Sequence, residues 1–383
     1  MEGGGLTPSD RVRPTYPRRD QLMSFLFSPR VIPRYIDRYG YAFSWKRLWN
    51  AGKVLASMGV SWTTGRPVVW GRPFMMMVEP TNFCNLKCPL CPSGNGEMQR
   101  DRGNMDLDRY RTFIDEIQHH VMLLMLWNQG EPFINKGFLD MVRYARERRI
   151  AVMTSTNGHF VRTPEQALEV VDSGLAEIII SLDGVDQETY EKYRVGGSLE
   201  TVLEGARLLA DAKDQRQANT PLVNLQFIVF SHNEKDLEQA EALSKELRAD
   251  KFLVKTAQVY GADDAATFLP EEELYRRYED SPEDTGDEDL RVKGQPATGC
   301  KVLWYSSMVN WNGDVAPCCF DKDVDYSMGD AFNGQTFADI WQGTPYKKFR
   351  QRILDDRRSV DMCRNCSEGY RGMFSLVKEL TGN

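Results

Sequence analysis

The chain has 383 residues, 41% of them hydrophobic and 27% charged, a balance that excludes a disordered or fibrous chain and leaves ample material for a core. Its net charge of −7 excludes broad nucleic-acid binding, which takes a basic footprint. No apolar run approaches the ~20 residues of a transmembrane span.

In chain order, residues 1–73 form an N-terminal extension rich in Arg, Tyr and Trp. Its first residues have basic groups but no apolar stretch of signal-peptide type, so a reducing cytoplasmic setting is expected. In that setting clustered cysteines point to metal or redox chemistry rather than to disulfides. The segment WKRLWNAGKVLASMG predicts an amphipathic helix that covers one end of the main domain; a membrane-surface helix is the sharper alternative.

From Phe74 the pattern alternates. Strands are predicted at FMMMVEP, VMLLMLW, AVMTSTN, EIIISLDG, VNLQFIVF and KFLVKTAQ, with helical stretches such as LDRYRTFIDEIQ and LETVLEGARLLADAK between them. Short apolar strands alternating with helices predict an α/β fold with a parallel sheet and right-handed crossovers. Six such strands can curve into a partial barrel spanning residues 74–260, with its chemistry at the C-terminal strand ends.

The loop after the first strand reads CNLKCPLC and holds Cys84, Cys88 and Cys91. Thiols this close seldom bridge one another. Three thiolates are one short of a closed zinc or iron–sulfur set. A [4Fe–4S] cluster on three cysteines would leave one iron open to a small molecule.

Residues 261–299 break the alternation and are expected to form an acidic, solvated linker, with seven acidic residues among the eleven from Glu279 to Asp289. Cys300, Cys318, Cys319, Cys363 and Cys366 follow in residues 300–383. Asn312-Gly313 predicts a hairpin turn that brings Cys300 near Cys318, where the C-x-x-C pair Cys363 and Cys366 can complete four thiolates. Four cysteines suit zinc as well as iron. Cys319 is expected to pack on the face opposite Cys318, because neighbouring strand residues point apart.

The C-x-x-x-C-x-x-C of Cys84, Cys88 and Cys91 at the end of a first barrel strand resembles the signature of the radical SAM superfamily. The resemblance implies a partial (β/α)6 radical SAM barrel. It also implies a [4Fe–4S] cluster, S-adenosylmethionine on its open iron, and reductive cleavage to a 5′-deoxyadenosyl radical that takes hydrogen from a substrate. The segment Gln129, Gly130, Glu131, Pro132 resembles the family's Gly-Gly-Glu-Pro motif, which receives the amino group of the cofactor; Gln129 stands where the family has glycine. By the same resemblance Thr156 faces the nucleoside, Ser181 and Asp183 lie at the fourth strand end, and Arg194 aims at the methionyl carboxylate. Leu90 is placed to pack on the adenine.

Cys300, Gly313 and Cys318, with Cys363 and Cys366, resemble the SPASM/twitch extension and imply a second [4Fe–4S] cluster. No cysteine follows Cys366, which matches the single-cluster, twitch-like form. Lys255, on the sixth strand, is a candidate catalytic residue that can contact substrate at the barrel mouth. The implied partners are a reductant such as flavodoxin or ferredoxin, and a substrate expected to be a carbohydrate, lipid-linked or other small metabolite, with a peptide, as in a peptide-modifying maturase, as the alternative. The alternatives are an iron–sulfur electron carrier and a zinc-stabilised binding protein; an electron carrier would have no need of the QGEP and SLDG segments.

Overall fold

The computed structural model describes residues 38–279, 290–367 and 375–380. The start of the N-terminal extension and most of the acidic run lie outside the described residues.

Six short strands form the parallel centre: β1 (Met75–Val78), β2 (Leu123–Met125), β3 (Ala151–Thr156), β4 (Glu177–Ser181), β5 (Leu222–Val229) and β6 (Lys251–Thr256). They lie side by side in sequence order, each parallel to the next. Alternate residues such as Val78, Leu124, Val152, Ile180, Phe227 and Val254 enter one apolar core with the surrounding helices. The intervening residues therefore face the barrel lumen.

The helices start where the sequence supplies caps. Helix α1 (Trp45–Thr64) is capped by Ser44, α2 (Leu107–Ile117) by Asp106, and α3 (Phe138–Glu147) follows Gly137. The side chains of Thr163, Asp186 and Ser198 cap α4 (Pro164–Asp172), α5 (Gln187–Tyr193) and α6 (Leu199–Arg216) by accepting backbone N–H bonds. α7 (Leu237–Glu246) completes the ring. Among the described residues no helix is long and apolar enough to cross a membrane.

The C-terminal part extends the same sheet. The predicted hairpin is present: β7 (Met308–Val309) and β8 (Asp314–Ala316) pair antiparallel around Gly313, whose φ of 103° favours glycine. β7 lies parallel to β1, β9 (Gly329–Asp330) pairs with β8, and β10 (Ser375–Glu379) runs antiparallel to β6. Ten strands among the described residues thus form one sheet, with the C-terminal hairpin at the β1 edge.

The expectation of a solvated linker over 261–299 is corrected in its described parts. Residues Ala262–Phe268 form a helix, α8, and Tyr278 bridges Val292 with both side chains buried. Apolar side chains at these positions give the segment a reason to pack that its acidic stretch masks in the sequence.

Candidate active site

The loop after β1 carries Cys84, Cys88 and Cys91 and is tied down on two sides. Lys87 N–H donates to the carbonyl of Val195 at 3.0 Å, and Glu131 N–H donates to the carbonyl of Phe83 at 2.7 Å. Gly94 lies against the same loop: a Cβ there would stand 2.6 Å from the backbone nitrogen of Cys88. The three thiols share one electrostatic neighbourhood. Burial pushes the Cys84 thiol up to about 11, and the nearby Glu131, Cys88 and Cys91 push in the same direction. Cys88 is raised by burial and held back by Arg194. Such thiols ionise only beside a strong cation, as metal ligands do.

The Gln129–Pro132 segment stands beside them. Gly130 has a φ of 77°, and a Cβ there would lie 2.6 Å from the carbonyl oxygen of Phe83. The left-handed backbone is needed at Gly130 and not at Gln129, which explains how glutamine is accommodated where the family has glycine. The Gln129 side chain is buried, with its Oε1 accepting from Ser93 Oγ at 3.2 Å and 3.8 Å from Cys91 Sγ. Pro132 opens the short turn that follows.

Glu131 is buried at the lumen end of this segment. Its Oε1 accepts from Thr156 Oγ1 at 2.8 Å and Phe133 N–H at 3.3 Å; among the described residues its Oε2 accepts from Asn157 N–H alone, at 2.7 Å. Oε2 retains acceptor capacity for a further donor. Burial raises the carboxyl to about 7, against the lowering effect of these bonds. Thr156 thus helps to orient Glu131.

Asp183 lies just past the end of β4. It is fully buried and grips Arg194, with Nε at 2.6 Å and Nη2 at 2.5 Å from Oδ2, while Oδ1 accepts from Ile228 N–H at 2.7 Å. Arg194 in turn places Nη1 3.8 Å from Cys88 Sγ. Burial works against the guanidinium charge, but Asp183 and Cys88 hold it well above its ordinary value. Asp183 thus positions a fixed cation beside the thiols. Ser181 ends β4 on the lumen face, and Leu90 is buried in the cluster that holds Cys88, Tyr193 and Phe230. Lys255 falls on the lumen face of β6, half-buried and level with Ile228 of β5.

Sequence reasoning missed the pair Glu79 and Arg100. Glu79 extends β1 into the lumen mouth, and Arg100 binds it at both oxygens, 2.7 and 2.5 Å. Arg100 Nε also donates to the carbonyl of Lys322 at 2.6 Å, which joins the barrel mouth to the C-terminal domain. A carboxylate directly after an apolar strand was the available signal for Glu79; nothing local marks Arg100.

The second thiol set is held differently. Cys318 lies near Cys300 and Cys366, and Cys363 lies near Cys300. Gln295 Nε2 donates to the carbonyls of Cys363 and Cys366, both at 2.8 Å. Buried Arg357 donates to the carbonyls of Gly299 and Cys366 at 3.2 and 3.3 Å. Burial pushes the Cys363 thiol up to about 12 and raises Cys318 well above its ordinary value. Cys319 also neighbours Cys318, and its side chain packs against the cluster of Met77, Met308 and Ala316 at the lumen wall. The eight cysteines form no disulfide. Among the described residues no three His, Cys, Asp or Glu side chains converge closely enough to hold a single metal ion.

A sequence model of the radical SAM superfamily matches residues 78–243, and one of an iron–sulfur cluster-binding domain, SPASM, matches residues 300–367. The chain belongs to the radical SAM superfamily. Among its relatives, this radical SAM chain is 26% identical over 326 residues to mycofactocin maturase MftC of Mycolicibacterium smegmatis, covering 81% of this chain and 80% of that one. It is 25% identical over 293 residues to the PqqA peptide cyclase of Rhodopseudomonas palustris, covering 71% and 74%. The fold matches SuiB of Streptococcus suis bound to S-adenosylmethionine, with a TM-score of 0.59 at 15% identity over 91% of this chain and 84% of that one. This is an enzyme whose barrel domain binds a [4Fe–4S] cluster and S-adenosylmethionine and whose SPASM domain binds further iron–sulfur. The residues present fit that content: grouped thiols that need a cation, a glycine cradle at Gly94, a carboxylate oxygen with spare acceptor capacity, and a buried guanidinium.

Proposed function

We propose that Cys84, Cys88 and Cys91 hold the catalytic cluster, that Cys300, Cys318, Cys363 and Cys366 hold one auxiliary cluster, and that the enzyme oxidises or cross-links a substrate in the lumen. When bound, the first cluster supplies the electron that splits S-adenosylmethionine into methionine and a hydrogen-abstracting 5′-deoxyadenosyl radical, and the second supplies an electron acceptor. Glu131 would receive the amino group through Oε2, with Thr156 and Asn157 fixing its orientation. Arg194, fixed by Asp183, would receive the carboxylate. Gly130 lets the loop approach Phe83 closely enough to keep Glu131 in place. Ser181 and Lys255 lie on the lumen face, and Lys255 would contact the substrate there.

The observation that carries this reading is the convergence of Glu131, Arg194 and the three thiols at one barrel mouth. A binding site for an α-amino acid headgroup is not needed by an electron carrier. A peptide substrate is favoured over a free metabolite, because two relatives spanning most of the chain are named a maturase and a peptide cyclase. A low-potential donor of flavodoxin or ferredoxin type would supply the electron. The test is anaerobic reconstitution, reduction, and measurement of 5′-deoxyadenosine. Formation is expected even without substrate and should accelerate with the correct peptide. No 5′-deoxyadenosine from protein that carries a full iron complement would overturn the proposal.

A further inference from the structure

Helix α1 is inside out. The residues it buries are Arg47, Asn50, Val54, Ser57 and Ser61, four of them polar. These polar groups are what dock it. Arg47 donates to the carbonyls of Ala42, Gln118 and Arg148 at 2.6–2.8 Å, Asn50 Nδ2 donates to the carbonyl of Arg72 at 2.7 Å, and Trp304 Nε1 donates to Ser61 Oγ at 3.1 Å. The opposite face carries Trp45, Leu48, Trp49, Leu55 and Trp62 into solvent, with Trp45 78% and Trp49 62% exposed. At 100° per residue these positions, together with Gly52, Ala56 and Gly59, fall on one side of the helix. Nothing packs over Gly52 or Gly59. Of the ten large apolar side chains that are exposed among the described residues, seven lie between Phe43 and Trp70.

Charge indicates what covers this face. From Gly40 to Val78 the sequence has five basic residues and no acidic one, in a chain of net charge −7. Exposed Lys46 and half-buried Lys53 border the apolar face, and exposed Arg66 follows the end of the helix. An apolar helix face with tryptophans and flanking cations matches the boundary of an anionic bilayer, where indole rings sit at the headgroup level and ammonium groups meet phosphates. Packing this face on a second copy about a two-fold axis would bring the same cations together. We propose that α1 is a membrane-surface anchor: its outer face lies in the interface of an anionic lipid leaflet, without crossing it, and holds the enzyme there while the acidic body stays in water.

The test is flotation of the anaerobically reconstituted full chain with vesicles of phosphatidylcholine alone and with phosphatidylglycerol added, alongside tryptophan emission. The chain should float with the anionic vesicles, with a blue-shifted emission, and at least tenfold less with neutral ones. Trp45→Ser with Trp49→Ser should abolish flotation at unchanged iron content. Lys46→Glu with Lys53→Glu should reduce it about tenfold while leaving the apolar face intact. The proposal is overturned if wild-type protein stays unbound on anionic vesicles, or if both variants float like wild type. It is also overturned if lipid-free wild type is a dimer that the tryptophan variant converts to monomer and vesicles capture neither form; that result would assign the face to a second copy.

Discussion

At the barrel mouth, Cys84, Cys88 and Cys91 ride on a loop whose neighbours are side chains with work left to do: a carboxylate oxygen with spare acceptor capacity and a guanidinium beside a thiol. In the C-terminal domain, Cys300, Cys318, Cys363 and Cys366 are surrounded by groups already spent on the backbone, with Gln295 and Arg357 clamping the C-x-x-C loop by its carbonyls. The first arrangement leaves room for a ligand. The second closes on itself. The contrast is between a site with groups left over for a small molecule and one whose surrounding groups are already engaged by the backbone.

The largest effect should come from Cys84→Ala, Cys88→Ala and Cys91→Ala together. This change should abolish 5′-deoxyadenosine formation and leave about four of roughly eight iron per chain, because the four C-terminal thiols keep their own cluster. Changing Cys300, Cys318, Cys363 or Cys366 should also halve the iron, but cleavage of S-adenosylmethionine without substrate should persist. Iron analysis and product assay check both, and equal loss of cleavage from the two sets would erase the distinction.

Asp183→Asn comes next. It leaves Arg194 buried without its carboxylate, so a loss of about 3–5 kcal/mol of stability is expected in chemical denaturation. Cofactor affinity should fall as well, since the guanidinium loses its anchor. An unchanged denaturation midpoint would remove Asp183 from this role.

Glu131 gives a pH signature. Its folded carboxyl titrates near 7, above the ordinary 4.5, so between those values the folded chain keeps a proton that the unfolded chain has released. Stability of the cluster-free protein should therefore fall as pH rises from about 4.5 to 7, by about 3 kcal/mol, and level off above. Cofactor affinity should move the other way, rising as pH passes 7, because the ionised carboxylate is the better acceptor. Glu131→Gln should flatten both profiles and weaken binding about tenfold at pH 8. Unaltered profiles would leave Glu131 as a turn cap only.

The smallest effect belongs to Cys319→Ala. Its side chain neighbours Cys318 but also packs against the Met77 cluster, and four other thiols already complete a ligand set, so both clusters should remain and iron content should not change. Loss of four iron would make it a ligand.

The parts of this contrast differ in how openly the sequence shows them. The six strands were legible because each is a short apolar run whose type is set locally; AVMTSTN and EIIISLDG contain β3 and β4 almost residue for residue. Thiol spacing and the QGEP segment are likewise local. Arg100 was not legible, because its partner Glu79 is 21 residues away and its Nε reaches the Lys322 carbonyl 222 residues on. Asp183 looked like a strand-end ligand because its grip on Arg194 depends on how α5 folds back. The orientation of α1 was hidden for a related reason. Its apolar residues suggest the docking face, whereas Arg47, Asn50 and Ser61 make the docking bonds, and only the positions of their distant carbonyl and indole partners reveal it.

The most direct test of the open-against-closed contrast is electron paramagnetic resonance of the reduced, fully reconstituted protein before and after S-adenosylmethionine is added. Two [4Fe–4S] signals are expected. One, lost in the Cys84, Cys88 and Cys91 variant, should shift on addition; the other, lost in the Cys363 variant, should not move. Two signals that both ignore S-adenosylmethionine, or a shift in the signal that depends on Cys363, would contradict the account.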